Sequence, residues 1–479
     1  MNYRMIAQIL GKVLCTIAAV LLLPALVCLI YRESPFPFLI VTLIMSVCGA
    51  VLLRFKPHTT KIYAAEGFAV VGLSWVLLSL FGALPFIISG DIPNYVDAVF
   101  ETVSGFTTTG ASNVPDIEAL TRGATFWRSL THFLGGMGVL VFIMAVLPMS
   151  GSRSIHIMRA EVPGPIVGKL VPSARKTAML LYAIYIALTA LEAILLICGG
   201  MSVFDSLIHA FGTAGTGGFS CRSLSIGYYD SAYFDTVITV FMIVFGVNFN
   251  LYYMILLGKG LDALKSEELR WFLGIVLFAG VTIALNLGTT YGGFFGNLRY
   301  SFFQVASIIS TTGFGTADFS LWPTYSKLVL VTLMFVGASA GSTGGGLKVS
   351  RVIIVAKAIR LELRRQLKPH SVNIERLEGK PISEATIHST LVFFACYFFL
   401  LFAGTAIVAT DGFDLLSTVT GVVSCLSNIG PGLDMVGPAG SFVMFSPLSK
   451  IVFSLCMLLG RLEIFPILML FSPKLWRNR

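Results

Sequence analysis

A chain of 479 residues that is 56% hydrophobic and only 12% charged, at a mean hydropathy of +0.86, lacks the polar surface that a soluble globule of this size requires. The net charge of +9 does not point to nucleic acid, because the cations fall in alternate loops between apolar runs and no arginine stripe is interleaved with aromatics. Composition therefore predicts an all-α membrane protein seated in a lipid bilayer.

Apolar runs of roughly 20 residues, enough to cross hydrocarbon, stand near 10–31, 37–55, 65–88, 124–148, 177–199, 232–258, 270–288, 326–358, 385–409 and 445–472, so about ten spans are expected. The first follows Arg4 and Lys12 without a small-residue cleavage site, and the second follows closely. Together they predict an inserted N-terminal two-helix hairpin over 1–56 rather than a removed signal. Each later pair of spans encloses a shorter apolar piece ending in a glycine turn. These pieces are "DAVFETVSGFTTTGAS", "FDSLIHAFGTAGTGGFS", "RYSFFQVASIISTTGFGTADF" and "FDLLSTVTGVVSCLSNIGPGL". Aligned on Gly110, Gly217, Gly313 and Gly430 they form a fourfold repeat, with Ser104, Ser307 and Ser424 six residues before the glycine in three copies. The predicted units, each a span, a short helix, a turn and a span, cover 57–150, 151–260, 261–370 and 371–479 around a pseudo-fourfold pore.

Orientation follows from the cations. Lys56 and Lys61, then Arg153, Arg159, Lys169, Arg175 and Lys176, then Lys259, Lys265 and Arg270, then Arg360 through Arg376, and finally Lys474, Arg477 and Arg479 mark cytoplasmic loops and place both termini inside. The intervening loops carry Asp91, Asp97, Asp116, Glu118, Asp205, Asp230, Asp318, Asp411 and Asp434. Asp97, Asp205 and Asp414 suit the starts of the short helices, where the dipole favours an anion. Asp116, Glu118, Asp318 and Asp434 are either solvated loop acids or cation collectors at a mouth. The eight cysteines lie mostly inside spans without paired or metal-type spacing and read as packing residues. His132 and His209 fall in or beside apolar segments, where a hydrogen-bonded histidine is commoner than a proton relay.

Backbone outside a helix cannot face lipid, so a turn such as "TTGFG" at membrane depth must be buried in protein or line an aqueous path. Glycine lets successive carbonyls turn inward without a side chain closing the hole, and threonine hydroxyls add oxygen. A short helix ending at each turn aims the negative end of its dipole at the pathway. The ion that suits such a ring is a cation.

The turns "TTTGA", "GTGGF", "TTGFG" and "NIGPG", with "GASAGSTGGGLK" in the third repeat and "GRLEIFP" in the last span, resemble the Trk/Ktr/HKT superfamily of potassium transporters over essentially the whole chain. Within it the closer match is to the bacterial TrkH/TrkG type, since the hairpin before residue 56 resembles the one that separates Trk-type from Ktr-type members. The resemblance implies a potassium selectivity filter formed by Thr108, Thr109, Gly110 and Ala111, by Gly215, Thr216, Gly217 and Gly218, by Thr311, Thr312, Gly313 and Phe314, and by Asn428, Ile429 and Gly430. It also implies a homodimer with one pore per protomer in the bacterial inner membrane, and a TrkA-like cytosolic nucleotide-binding partner, with no nucleotide on this chain. Plant relatives that admit sodium often carry serine at the first filter glycine. Gly110 therefore favours potassium.

"GASAGSTGGGLK", residues 337 to 348, is not a phosphate-binding loop, because Leu347 separates Gly346 from Lys348. Gly337, Gly341 and Gly345 at four-residue spacing suit close helix packing. Gly344, Gly345 and Gly346 in a row instead suit an unwound hinge, since each glycine costs about 1 kcal/mol of helix stability relative to alanine. The family resemblance agrees with the hinge and implies a gating loop over Gly337, Gly341, Ser342, Thr343, Gly344, Gly345, Gly346 and Lys348. Arg461 lies inside the last predicted span, where a cation costs about 2.5–3.5 kcal/mol and needs a role or a partner. Glu463, two residues on, is not on its face. Arg461 either binds helix-end and loop carbonyls or, as the resemblance implies, faces the ion path as a barrier. Arg360, Arg364 and Arg365 are expected to dock the cytosolic partner or simply to obey the positive-inside bias. Two function classes remain: a channel-like potassium pathway, favoured by four copies in one orientation, and a symporter coupled to protons or sodium, whose usual mark is a twofold inverted repeat. No nucleophile with a base, acidic cluster or metal-ligand set marks an enzyme.

Overall fold

The structure, a computed structural model, describes residues 1–56, 63–138, 174–368 and 375–476. Lys61, Arg153, Arg159, Lys169, Arg477 and Arg479 lie outside the described residues, as do the end of the predicted span 124–148 and the repeat boundaries at 150 and 370.

Helices Tyr3–Val20 and Leu22–Ile30 form one crossing and Phe36–Leu53 returns, giving the expected hairpin. Four repeats follow. Their outer spans are Ala64–Gly82 continued by Leu84–Ser89, then Ala174–Cys198, Glu267–Asn286 and Glu384–Val408. Their re-entrant helices are Tyr95–Phe106, Val203–Gly215, Phe294–Ile309 and Leu415–Ser427, of 12, 13, 16 and 13 residues. At about 1.5 Å per residue none reaches across a bilayer. The inner spans begin at Arg122–Gly136, Ala232–Gly246, Thr324–Val336 and Pro447–Arg461. Each inner span packs on the re-entrant helix of the next repeat, and Pro447–Arg461 of the fourth packs on Tyr95–Phe106 of the first. The chain thus closes on itself as a pseudo-fourfold ring.

Three of the four re-entrant helices start on side-chain caps that the sequence supplies, the exception being Phe294–Ile309, which follows Gly293. Asn94 accepts from the Val96 amide at 2.8 Å, Ser202 from Asp205 at 3.0 Å and Asp414 from Leu416 at 2.8 Å. Asp414 is thus a cap itself. Asp97 and Asp205 sit one turn in and instead pair with Lys450 at 2.9 Å and Arg222 at 3.2 Å.

The hairpin, the four outer segments and the four inner segments correspond to the ten predicted apolar runs, but the inner ones are shorter than those runs suggest. Among the described residues six helices are long and apolar enough to cross a membrane, or seven if a bent pair counts as one. Three inner spans break. Ala232–Gly246 and Phe249–Leu256 meet at 92°, Thr324–Val336 stops at Gly337, and Pro447–Arg461 stops before Glu463 and Ile464, both at positive φ. The break at Gly337 follows the expected hinge, whereas the apolar run does not reveal the one after Gly246, because the groups that satisfy its freed backbone come from the third repeat. The all-α expectation meets one departure, a two-stranded antiparallel ladder of Arg376–Leu377 with Lys380–Pro381.

The hairpin packs by backbone approach. A methyl added at Gly49 would lie 2.5 Å from Cys15 Sγ and 3.0 Å from the Gly11 carbonyl oxygen. Gly49→Val should therefore destabilise by about 1–3 kcal/mol through overpacking, read as a lower unfolding midpoint in detergent. Gly274→Ala, which meets nothing within 4 Å inside a helix, should hold the midpoint or raise it slightly. Equal midpoints for the two variants would contradict this packing.

Candidate functional site

Each re-entrant helix ends in the same backbone device. The amides of Thr109, Gly217, Thr312 and Ile429 bond the carbonyls five residues back, those of Ser104, Gly212, Ser307 and Ser424, at 2.8–2.9 Å. The residue before each of these amides takes a left-handed conformation: Thr108 at φ 54°, Thr216 at 55°, Thr311 at 62° and Asn428 at 56°. For β-branched threonine this conformation is strained and needs support from its surroundings. Glycine follows at Gly110, Gly218, Gly313 and Gly430, with φ of 78°, 75°, 85° and 100°. The second repeat is thus one residue out of the sequence alignment: Gly218, not Gly217, matches Gly110, and the position six residues earlier is Gly212. Gly217 is required for another reason, since a methyl there would lie 2.5 Å from the His132 ring.

The four glycines form a closed circuit. A methyl on Gly110 would lie 1.8 Å from the Gly217 carbonyl oxygen, on Gly218 2.1 Å from that of Thr312, on Gly313 2.1 Å from that of Ile429, and on Gly430 2.6 Å from that of Thr109. Every turn therefore abuts the carbonyl that precedes the glycine of the next. One cavity touches all four ring glycines, with Ala111, Arg128, Arg222 and Pro431 also on its wall. Asn428 ties the fourth turn to the first, donating to Thr109 Oγ1 at 3.0 Å and to the Met457 carbonyl at 2.9 Å. The hydroxyls of Thr109 and Thr312 are bonded sideways, to Thr107 at 2.8 Å and Ser310 at 2.7 Å. Gly215 and Phe314 are buried behind the turns, Phe314 with its carbonyl held by Ser307 Oγ at 2.6 Å. Arg128 and Glu101 form a sealed ion pair at 2.6 Å beside the first two turns, and Arg128 lies 4.1 Å over the Phe219 ring.

Below the ring, residues 337–348 are unwound between Thr324–Val336 and Val349–Leu367, as the hinge reading expects, with Gly337, Gly341, Gly346 and Lys348 at positive φ. The loop touches the ends of two re-entrant helices. The Gly345 amide donates to Thr311 Oγ1 at 2.6 Å, and a methyl on Gly345 would lie 2.4 Å from the Ser427 carbonyl oxygen. Its backbone completes the broken second repeat: Ser339 donates to the Gly246 carbonyl at 3.1 Å and the Gly341 carbonyl accepts from the Phe249 amide at 3.0 Å. Thr343 is fully buried, and Ser342 donates to the Ser339 carbonyl at 2.6 Å. Buried Lys348 folds back on the Gly344 carbonyl.

Arg461 reaches both the loop and a helix end, donating to the Thr343 carbonyl at 2.7 Å and to those of Gly135 and Gly136 at 2.5 and 2.6 Å. Glu463 indeed pairs elsewhere, with Arg351 at 2.7 Å. Arg360, Arg364 and Arg365 project as exposed side chains from Val349–Leu367, the helix that leaves the loop; Arg364 pairs with Glu375 at 3.3 Å and Arg365 with Glu384 at 2.9 Å.

Sequence reasoning missed Glu268, whose carboxylate accepts from the amides of Ala340 at 2.8 Å and Ser350 at 3.1 Å, one at each end of the loop. A carboxylate two residues before the predicted span 270–288 was the available signal.

A family model described as a cation transport protein, TrkH, matches residues 36–290 and 295–478. The chain is 36% identical over 486 residues to the Trk system potassium uptake protein TrkH of Salmonella typhimurium, covering 100% of both chains. It is 31% identical to the Trk system potassium uptake protein TrkG of Escherichia coli, covering 100% of this chain and 99% of the other. The crystal structure of the potassium transporter TrkH from Vibrio parahaemolyticus superposes with a TM-score of 0.90 at 32% identity, covering 100% of both chains. Identity and coverage on this scale mean that the chain belongs to the TrkH family of cation transport proteins.

Proposed function

We propose that the chain takes up potassium across the bacterial inner membrane through a filter made of the backbone carbonyls at Gly110, Gly218, Gly313 and Gly430 and their neighbours. The observation that carries this reading is the closed circuit of glycine-to-carbonyl approaches. Such a ring presents oxygens to a dehydrated cation from four sides with no side chain in the way. The loop at 337–348 acts as the gate and Arg461 as a fixed charge beneath the filter. A homodimer, cytoplasmic termini and a TrkA-like nucleotide-binding partner acting on Arg360, Arg364 and Arg365 complete the proposal. Four turns in one orientation favour a channel-like path over a symporter.

Purified protein in liposomes tests the filter. Gly110→Ser places an atom where 1.8 Å is available, so the potassium-to-sodium permeability ratio should fall by about tenfold, equivalent to ~1.4 kcal/mol of discrimination. A ratio unchanged in both Gly110→Ser and Gly313→Ser sinks the filter assignment. With potassium and proton gradients set independently, the reversal potential should follow potassium alone; a shift with the proton gradient would establish coupling.

For the gate, Arg461→Ala and deletion of part of 341–346 should each increase potassium flux in the absence of any partner while preserving the ratio. Flux no faster than the parent in both variants, with folded protein, would place the gate elsewhere.

Arg364→Glu combined with Arg365→Glu should weaken copurification of the cytosolic partner by about tenfold or more, because reversing two neighbouring charges sets like against like across the interface. Undiminished copurification would remove this docking surface.

A further inference from the structure

The corrected register brings four side chains into equivalent positions behind the ring. Nine residues before each ring glycine, on the buried side of the re-entrant helix, stand Glu101, His209, Gln304 and Gly421. The first three are 0–1% exposed. Each reaches the segment that leaves its own turn. Glu101 accepts from the Asn113 amide at 2.8 Å and Ser112 Oγ at 3.1 Å. His209 Nε2 lies 2.9 Å from Ser220 Oγ. Gln304 donates to Thr316 Oγ1 at 3.4 Å and the Ala317 carbonyl at 3.3 Å. In the fourth repeat, where glycine occupies the position, the adjacent Thr420 does the work and accepts from the Leu433 amide at 2.9 Å. Ser112 and Ser220 are themselves equivalent, and each accepts from the amide two residues on, Val114 at 3.3 Å and Arg222 at 3.0 Å.

We infer that Glu101, His209, Gln304 and Thr420 are positioning residues for ion selection, four struts that fix the distance between each re-entrant helix and the segment that leaves its turn and so hold the ring carbonyls at their spacing. The inference rests on the filter reading above. Four chemically different side chains perform one task, so the requirement is a hydrogen bond across the gap and not a charge. At His209 the protonation pattern follows from the partners. Nδ1 lies 2.7 Å from the Asp205 carbonyl oxygen, which only accepts, so Nδ1 carries the proton. Nε2 is then free to accept from Ser220, whose oxygen takes the Arg222 amide. Glu101 is held in turn by Arg128, which also donates to Ser112 Oγ at 3.2 Å and to the Ser220 carbonyl at 3.5 Å. The struts of the first two repeats are thereby braced against each other.

The experiment compares potassium-to-sodium permeability ratios in liposomes for the parent, His209→Ala, Ser220→Ala, His209→Gln and the filter variant Gly110→Ser. His209→Ala and Ser220→Ala remove the bond they share from opposite ends, each with a different second bond, to the Asp205 carbonyl or from the Arg222 amide; the loss common to both should lower the ratio by about threefold to tenfold, the range a single hydrogen bond is worth. His209→Gln, which installs the side chain used at the equivalent position in the third repeat, should recover most of the loss. If His209→Ala does not accumulate, Ser220→Ala decides, because it leaves the large side chain in place. Ratios matching the parent in the strut variants while Gly110→Ser lowers its own overturn the struts and leave the filter standing. A glutamine as damaging as alanine also overturns them. An unchanged ratio in Gly110→Ser removes the filter reading and the struts with it.

Discussion

Four close approaches of backbone to backbone, with no room for a side chain, are the constraint on which this structure depends. Turns in the middle of a membrane protein strip peptide groups of their helical partners, and hydrocarbon offers no replacement. Here the amides are satisfied within each turn by bonds back to Ser104, Gly212, Ser307 and Ser424. The carbonyls of Thr109, Gly217, Thr312 and Ile429 are then crowded against the glycines of the neighbouring turns. Crowding of this kind is repulsive by itself, and it persists because the surrounding ring of inner spans and re-entrant helices holds the four turns together.

The same logic extends below the ring. A span unwound at 337–348 and another bent at 92° each leave exposed peptide groups, and the two defects repair one another through Ser339, Gly341 and Thr343. Arg461 completes the repair by taking carbonyls from the loop and from the end of Arg122–Gly136. Its charge is stabilised there by hydrogen bonds to oxygens that have no other donor of comparable strength.

Much of this was legible in the amino-acid sequence. The fourfold repeat, the short re-entrant helices and the unwound glycine loop are written in local composition, because a run too short to span and a row of glycines have few other uses in a membrane. The register of the second turn was not legible. "GTGGF" offers two adjacent glycines, and one is there for backbone angle while the other makes room for His132. The break after Gly246 was hidden as well, since "FGVNFN" stays apolar enough to pass as a helix and its repair comes from residues nearly a hundred positions away. His209 reads in the sequence as a hydrogen-bonded histidine without a role, and only the shifted register sets it level with Glu101 and Gln304.

Glu268 holds the amides of Ala340 and Ser350 with a single oxygen, Oε1, from a helix that is itself anchored at its start by Glu378, which accepts from the Ser266 hydroxyl at 2.8 Å and the Glu268 amide at 3.0 Å. The two ends of the unwound segment therefore share one fastening. Loosening one end draws the carboxylate away from the other, so small excursions at either hinge oppose themselves while a large one frees both. The turn that bears Glu378, beside the short ladder of Arg376–Leu377 and Lys380–Pro381, is thus tied to both ends of the unwound segment through one carboxylate.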